Sequence, residues 1–369
     1  MAERVKVGVI GCGAISGAYL SMAKNLPILD MAAVADIDQA KAQSRADEFG
    51  VPRVLTPEQL LADPEIEVVL NLTVPKAHVE IGLAALAAGK HTFTEKPFGI
   101  DRDEGRKVLV EAEAKGLRVG CAPDTFMGAG IQTSAKAIRD GLIGRPLSFT
   151  AFMMCRGHES WHPSPEFYYE VGGGPMFDMG PYYLTALLNL LGPVKRYVGG
   201  ASIAIPERVI TSQPKHGKRV TVETPDHVTG IMEFEDGAVG TIIQTFATQF
   251  ATAGPPITIY GEEGTLMVPD PNGFDGEVKV RRAGDDEWQT VPHAYPTGYG
   301  RAVGLADMCT AIGGSGRAHR CSAEQAFYVL DLMQGFLDSS AAGAYRQPEL
   351  SYAAPAPMPT DLPFGTLDA

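Results

Sequence analysis

Tryptophan is nearly absent, two in 369 residues, and cysteine is scarce. Cys12, Cys121, Cys155, Cys309 and Cys321 are odd in number, scattered, and free of any CxxC or Cys/His ligand spacing. That excludes a disulfide-stapled framework and a structural zinc site, and predicts reduced, mostly buried thiols. Basic residues are outnumbered, 31 Lys and Arg against 44 Asp and Glu for a net charge of -13, and they gather in no run. A nucleic-acid partner needs a basic patch to displace counterions, so that class is excluded. Long apolar runs are missing as well. The start "MAERVKVGVIGCGAISG" breaks at glycines before it could become a signal core or a membrane span, so the expectation is a cytoplasmic protein with no membrane partner. No internal repeat is found.

What is present is the composition of a folded globular chain, 45% apolar and 20% charged, at a length that suits two domains. Through residue 124, short β-rich runs alternate with helical patterns. "VKVGVI", "MAAVAD", "EVVLNLTV", "HTFTEK" and "RVGCA" read as strands between "GCGAISGAYLSMAKN", "IDQAKAQSRADEFG", "KAHVEIGLAALAAGK" and "DEGRKVLVEAEAKG". Continuous apolar strands alternating with helices predict a parallel sheet covered on both faces, an α/β Rossmann domain over 1–124. After the helix "GIQTSAKAIRDG" the pattern turns to strands with hairpin signals, such as Asp236-Gly237 in "HVTGIMEFEDGAVGTIIQTF" and Gly261 to Gly264 in "PITIYGEEGTLMVPD". Residues 125–340 therefore read as an α+β domain with a largely antiparallel sheet, whose last helices can pack back on the first domain. The Pro-rich 341–369 reads as an extended tail.

In "VGVIGCGAIS", Gly11 and Gly13 fall at the turn between the first strand and helix, where a dinucleotide fingerprint needs a tight turn and a close backbone approach to pyrophosphate. The third fingerprint position is Ser16 rather than glycine. Asp36 ends the second strand, placed to accept hydrogen bonds from ribose hydroxyls and to repel a 2'-phosphate; Ile37 follows, with no Arg or Lys close behind. NAD is thus expected over NADP. Lys96 ends the strand "HTFTEK" at the sheet end where open α/β folds bind ligands, and Pro97 biases it toward extended backbone. Such a lysine is either a surface residue or a proton-transfer group, its pKa lowered beside a hydroxyl and a cationic nicotinamide.

The blocks "GVIGCGAIS", "NLTVPKAHVEIGLAALAAGKHTFTEKP" and "GGGPMFDMGPYYLTALLNLLGPV" resemble the Gfo/Idh/MocA family, named for glucose-fructose oxidoreductase, inositol dehydrogenase and a rhizopine-catabolism protein. The resemblance implies NAD(P)-dependent oxidation or reduction of a secondary alcohol on a sugar or cyclitol, with an open-faced sheet in the second domain. It implies that Gly11, Gly13, Ala14 and Ile15 cradle the pyrophosphate, with Asp36 and Ile37 at the adenosine ribose. Thr73, Val74, Pro75 and His78 would line the nucleotide site, and Glu95 and Lys96 would reach the nicotinamide ribose and the substrate. His78 could equally cap or pack at its helix start. The family's open sheet face implies a homodimer or homotetramer.

Within "GGGPMFDMGPYYLTALLNLLG", Leu184, Leu187, Leu188 and Leu191 recur at i, i+3, i+4 and i+7 between Pro181 and Gly192, which is a core-facing helix. Asp178 could favour that helix's positive end or orient substrate. The family pattern has an aspartate and, four residues on, a histidine; here Tyr182 stands at the second place, as in the glucose-fructose oxidoreductase branch. A phenol, with a pKa of about 10, needs help to act as a base at neutral pH. The proton acceptor is therefore open among Lys96, Tyr182 and a nearby histidine. "CRGHESWHPSPEFYYEVGGG" supplies His158, Trp161, His162, Tyr168 and Tyr169 in a Pro- and Gly-punctuated loop that suits a sugar wall. Its two histidines lack further ligands and a rigid frame, so no metal is expected. "PHAYPTGYGRAVGLAD" adds His293, Tyr295, Tyr299, Arg301 and Asp307; Arg301 either binds an anionic substituent or ties a helix start to a carboxylate. Asp124 is expected to face the same cleft.

These readings converge on an NAD-dependent dehydrogenase of a ring alcohol, with Lys96 and Tyr182 moving the proton and Asp178 orienting the substrate. Two other classes stay open. One is a glycoside hydrolase working by transient oxidation, elimination and re-reduction; the other is a nucleotide-binding regulator without turnover.

Overall fold

The β-branched run Val5–Ile10 forms the first strand (β1), and the glycine turn after it leads into α1, Ser16–Ala23. The computed structural model describes residues 4–251, 254–360 and 362–368. Alternation continues through β2 (Leu29–Ala35), α2 (Gln39–Phe49), β3 (Val54–Leu55), α3 (Pro57–Ala62), β4 (Val68–Asn71), α4 (His78–Ala87), β5 (His91–Thr94), α5 (Arg102–Lys115) and β6 (Val119–Cys121). Local chemistry sets the helix ends. Asp38 accepts from the amides of Ala40 and Lys41, Thr56 and Gln59 form a reciprocal capping box, Asp101 accepts from Glu104, and Gly50 and Gly116 close their helices in the left-handed region.

The six strands are parallel in the order β3-β2-β1-β4-β5-β6. This is the doubly wound order, whose ligand crevice lies beyond the carboxyl ends of β1 and β4 where the winding reverses. Ile10, Ala33, Leu60, Ile66, Val69 and Ala85 form a dry core against the sheet.

Two compact units make up the chain, and the first is not a single segment: it comprises Met1–Gln132, Ala294–Phe327 and Pro355–Ala369. It thus runs past the expected boundary at 124 and takes back part of the expected tail. Met358 and Leu367 of that tail are buried, and the Met358 amide donates to Gln132 Oε1 at 3.2 Å. α6 (Ala129–Arg139) crosses the boundary between units.

The second unit holds β7 (Pro146–Met154), α7 (Gly174–Asp178), α8 (Gly180–Leu191), β8 (Val194–Ser202), β9 (Glu207–Val209), β10 (Arg219–Thr221), β11 (His227–Phe234), β12 (Val239–Thr245), β13 (Ile257–Gly261), β14 (Gly264–Val268), β15 (Val278–Arg282) and β16 (Gln289–Val291). Eight strands form one sheet in the order β16-β15-β14-β13-β7-β12-β11-β8, antiparallel except for the parallel β7–β12 pair. Its register puts Phe152, Ile231, Val239 and Tyr260 on one face, where all four are exposed, while Phe149, Ile242 and Ile259 point to the buried side. The second sheet is therefore open-faced. α8 is buried along its whole length except at Asn189, so the four predicted leucines belong to a helix sunk in the unit rather than lying on it.

The first unit also contains α9 (Val303–Thr310), and α10 (Ala323–Ala342) spans the two units. Among the described residues no helix is long and apolar enough to cross a membrane.

Candidate functional site

Three features of the first unit mark a nucleotide site. Gly11 has φ +105°, and a Cβ there would sit 2.6 Å from the Leu72 carbonyl, so only glycine fits between β1 and the chain leaving β4. A Cβ on Gly13, by contrast, would meet nothing within 4 Å. Among the described residues, the amides of Gly13, Ala14 and Ile15 have no acceptor in the chain. Unpaired amides beside open space at the start of α1 make a cradle for an anion. Ser16 is buried and returns its hydroxyl to the Gly13 carbonyl at 2.7 Å, which is how it serves where glycine was expected.

Asp36 closes one side of this turn. Its Oδ2 accepts from the Cys12 amide at 2.7 Å and its Oδ1 from the Asp38 amide at 2.8 Å. Each oxygen keeps a further lone pair for a ribose hydroxyl. Ile37 beside it is 96% exposed. Arg45, on α2, reaches the Gly13 carbonyl at 3.2 Å and pairs with Glu48 at 2.6 Å.

After β4 and β5 a second group gathers. Asn71 accepts from the Thr73 hydroxyl at 2.7 Å and donates to the His78 carbonyl at 2.9 Å. His78 is buried with Nδ1 2.8 Å from the Pro97 carbonyl and Nε2 3.1 Å from the Thr73 carbonyl. Burial holds its pKa below the ordinary value, against the pull of both carbonyls, so a neutral ring stitches the two loops together. His78 thus acts through Thr73 and Pro97, which is the packing alternative. Val74 stays exposed on the same loop.

Glu95 is buried, accepting from the Tyr19 hydroxyl at 2.9 Å on Oε1 and from the Lys96 amide at 3.0 Å on Oε2. Burial first, then the Glu95 carboxylate, drives the Tyr19 pKa well above its ordinary value and keeps that phenol a donor. Lys96 is half-buried at the end of this chain of contacts. Tyr19 was not singled out from the sequence, since nothing in the helical pattern of α1 distinguishes it from a core aromatic.

The second unit supplies a different cluster. His158 Nε2 lies 3.2 Å from Asp178 Oδ2, at the end of α7. The imidazole packs against Tyr168, Phe246 and Trp161 with ring centroids at 4.2, 4.6 and 5.2 Å, and His162 sits 5.4 Å from both Trp161 and Tyr168. Burial pushes the His162 pKa below its ordinary value. Tyr182, in the first turn of α8, is buried.

Beneath the loop lies a network invisible in the sequence. Buried Arg208 donates to Asp226 at 2.8 Å, to Glu159 at 3.0 Å and to the Arg156 carbonyl at 2.8 Å, while the Tyr169 hydroxyl donates to Glu159.

Other expected substrate residues have structural partners. Asp124 is fully buried and accepts from the amides of Ala302 and Gly304 at 2.9 and 3.2 Å, with Arg301 3.6 Å away. This carboxylate holds the start of α9, where Ala302 adopts φ +97°, so Arg301 follows the second alternative and ties a helix start to a carboxylate. Tyr299 stacks on Phe364 at 4.5 Å and accepts from the Gly365 amide at 3.0 Å, clamping the tail. Asp307 is paired with Arg317 and Arg320, and His293 lies 2.8 Å from the Gly276 carbonyl. Among the described residues no group of three His, Cys, Asp or Glu side chains could hold a metal ion.

An amide cradle with an acidic partner on a doubly wound sheet is the arrangement of a dinucleotide-binding domain. The chain matches the oxidoreductase family with an NAD-binding Rossmann fold over residues 5–122 and the GFO/IDH/MocA C-terminal domain over 131–267. It belongs to the Gfo/Idh/MocA oxidoreductases. It is 27% identical over 264 residues to the 1,5-anhydro-D-fructose reductase of Ensifer adhaerens, across 70% of this chain and 74% of that one. It is 35% identical over 156 residues to the inositol 2-dehydrogenase/D-chiro-inositol 3-dehydrogenase of Lactiplantibacillus plantarum, across 40% and 43% of the two chains. The solved structure of a levoglucosan dehydrogenase in complex with NADH shares the fold at a TM-score of 0.79 and 23% identity, over 94% of this chain and 99% of that one.

Proposed function

We propose that this protein is an NAD-dependent dehydrogenase that oxidises a ring secondary alcohol of a sugar, glycoside or inositol. The observation that carries the reading is the cradle: amides of Gly13, Ala14 and Ile15 without an acceptor among the described residues, open space beside Gly13, and Asp36 at its side. These residues fit a dinucleotide, with Gly13, Ala14 and Ile15 at the pyrophosphate and Asp36 at the adenosine ribose, Ile37 beside it. Thr73, Val74 and Pro75 would border the nicotinamide end, with Glu95 at its ribose. When bound, the dinucleotide supplies the hydride acceptor.

NAD is preferred over NADP because the Asp36 carboxylate repels a 2'-phosphate. Arg45 offers no counterweight, being engaged by Glu48 and the Gly13 carbonyl. Lys96 meets the substrate hydroxyl and stabilises the charge that grows on its oxygen. Asp178 and Tyr182 hold the substrate by its hydroxyls, and His158, Trp161, His162 and Tyr168 offer ring faces and polar edges suited to a sugar. Relatives named as inositol dehydrogenases and an anhydrofructose reductase support a polyol-type substrate.

The exposed Phe152, Ile231, Val239 and Tyr260 face supports a homo-oligomer that covers it. The test of the function is a panel of sugars, glycosides and cyclitols followed for both NADH and released leaving groups. NADH formation without a leaving group is expected; leaving-group release without net NADH would replace the dehydrogenase by the redox-neutral hydrolase.

A further inference from the structure

We infer that His158, rather than Tyr182, receives the proton of the substrate hydroxyl, with Asp178 as the residue that positions its ring. The inference rests on the dehydrogenase reading and concerns the group that reading left open.

The geometry is that of a base and its orienter. A carboxylate only accepts, so Asp178 Oδ2 at 3.2 Å from Nε2 places the ring hydrogen on Nε2 and leaves the lone pair on Nδ1. Among the described residues no hydrogen-bonding group of the chain meets Nδ1. The ring is held against turning by Tyr168, Phe246 and Trp161.

Its backbone is held too. The His158 amide donates to the Tyr169 hydroxyl at 3.0 Å, Gly157 before it takes φ +96°, and Arg208 binds both the Arg156 carbonyl and Glu159. A guanidinium buried between Asp226 and Glu159 thus fixes the chain on either side of the imidazole. A histidine that merely filled space would need none of this. Tyr182 stands four residues after Asp178 on α8, and the imidazole reaches that aspartate from another loop.

In the step so defined, the substrate O–H bond breaks and its proton moves to Nδ1. The O–H electron pair becomes the second bond of the carbonyl, and a bound nicotinamide dinucleotide would take the C–H pair as hydride, the chemistry that group supplies. Nε2–H stays on Asp178, and the imidazolium later returns its proton to water.

The test combines the tautomer with turnover. Long-range proton–nitrogen NMR of the ¹⁵N-histidine-labelled protein should show His158 as the Nε2–H form in wild type and a mixture in Asp178→Asn. With whichever panel sugar wild type oxidises, His158→Gln should lower kcat by about 10²–10⁴-fold, the usual scale of a lost general base. NADH binding, followed by fluorescence, should persist. An Nδ1–H form in wild type overturns the inference, as does a Tyr182→Phe variant that loses more turnover than His158→Gln. If wild type oxidises no sugar, the dehydrogenase reading fails, and the tautomer still decides whether His158 is set up as a base.

Discussion

Single side chains divide the labour sharply. Asp36 closes the glycine turn, and under the proposed function the same carboxylate would exclude NADP, so Asp36→Ser should weaken NAD binding about tenfold or more, roughly 1.4 kcal/mol, and raise the NADP-to-NAD affinity ratio. Fluorescence titration with both dinucleotides checks this. Lys96 is placed by its amide on Glu95 and by the loop that His78 ties, so Lys96→Met should lower kcat by about 10²–10⁴-fold while the fold is kept, measured by turnover beside circular dichroism. The turn that carries Gly11, Gly13 and Asp36 was legible because its spacing is local, one strand-turn-helix-strand passage; Lys96 lies two residues past the end of β5 at Thr94 rather than ending the strand as expected. The contacts of Asp124 and Tyr299, and the choice between the two alternatives for Arg301, were hidden for the opposite reason. Their partners lie far along the chain, and a polar side chain in a loop looks alike whether it faces a ligand or the start of α9.

Among the elements, the loop between β7 and α7 depends on one buried cation. Arg208 balances Asp226 and Glu159, and removing one member of a buried ion network leaves uncompensated charge. Arg208→Met is predicted to cost about 3–5 kcal/mol of stability, read by denaturant unfolding, and to lower turnover further through the loop that carries His158. Stability unchanged to within about 0.5 kcal/mol would show that the network is not structural. The strands β1, β4, β5 and β6 could be read from their apolar runs, and the β11–β12 hairpin from Asp236-Gly237. β3 has two residues and α7 five, too few to carry a period, and both escaped notice. The β7–β12 pairing is parallel and joins strands with β8 to β11 between them in the chain, so no local pattern announces it.

For the molecule as a whole, three histidines of the first unit, His78 and His319 buried and His91 half-buried, set an acid limit. Burial is the leading cause of the lowered pKa of His78, His91 and His319. Unfolded, each returns to about 6.5 and binds protons that the native ring refuses. Their contribution is therefore full above pH ~6.5 and is lost as pH falls below it toward the folded values. The melting temperature should drop between about pH 7 and 5.5, and His319→Gln should flatten that slope; a wild-type profile without slope would contradict the assignment. The two-domain architecture and its class of chemistry were legible because composition, alternation and three motifs agree. Assembly of the His158–Asp178 pair was not, since it depends on Arg208 and Asp226 brought in from distant strands.

The central claim, net hydride transfer from a ring alcohol, is tested most directly by isotope. A sugar or cyclitol that the panel shows to be a substrate, carrying deuterium on its carbinol carbon, is incubated with the protein and NAD, and the dinucleotide is analysed by mass spectrometry. Deuterium in the released NADH is the predicted result. Deuterium retained in a sugar product, with a leaving group set free and no labelled NADH, would contradict the account.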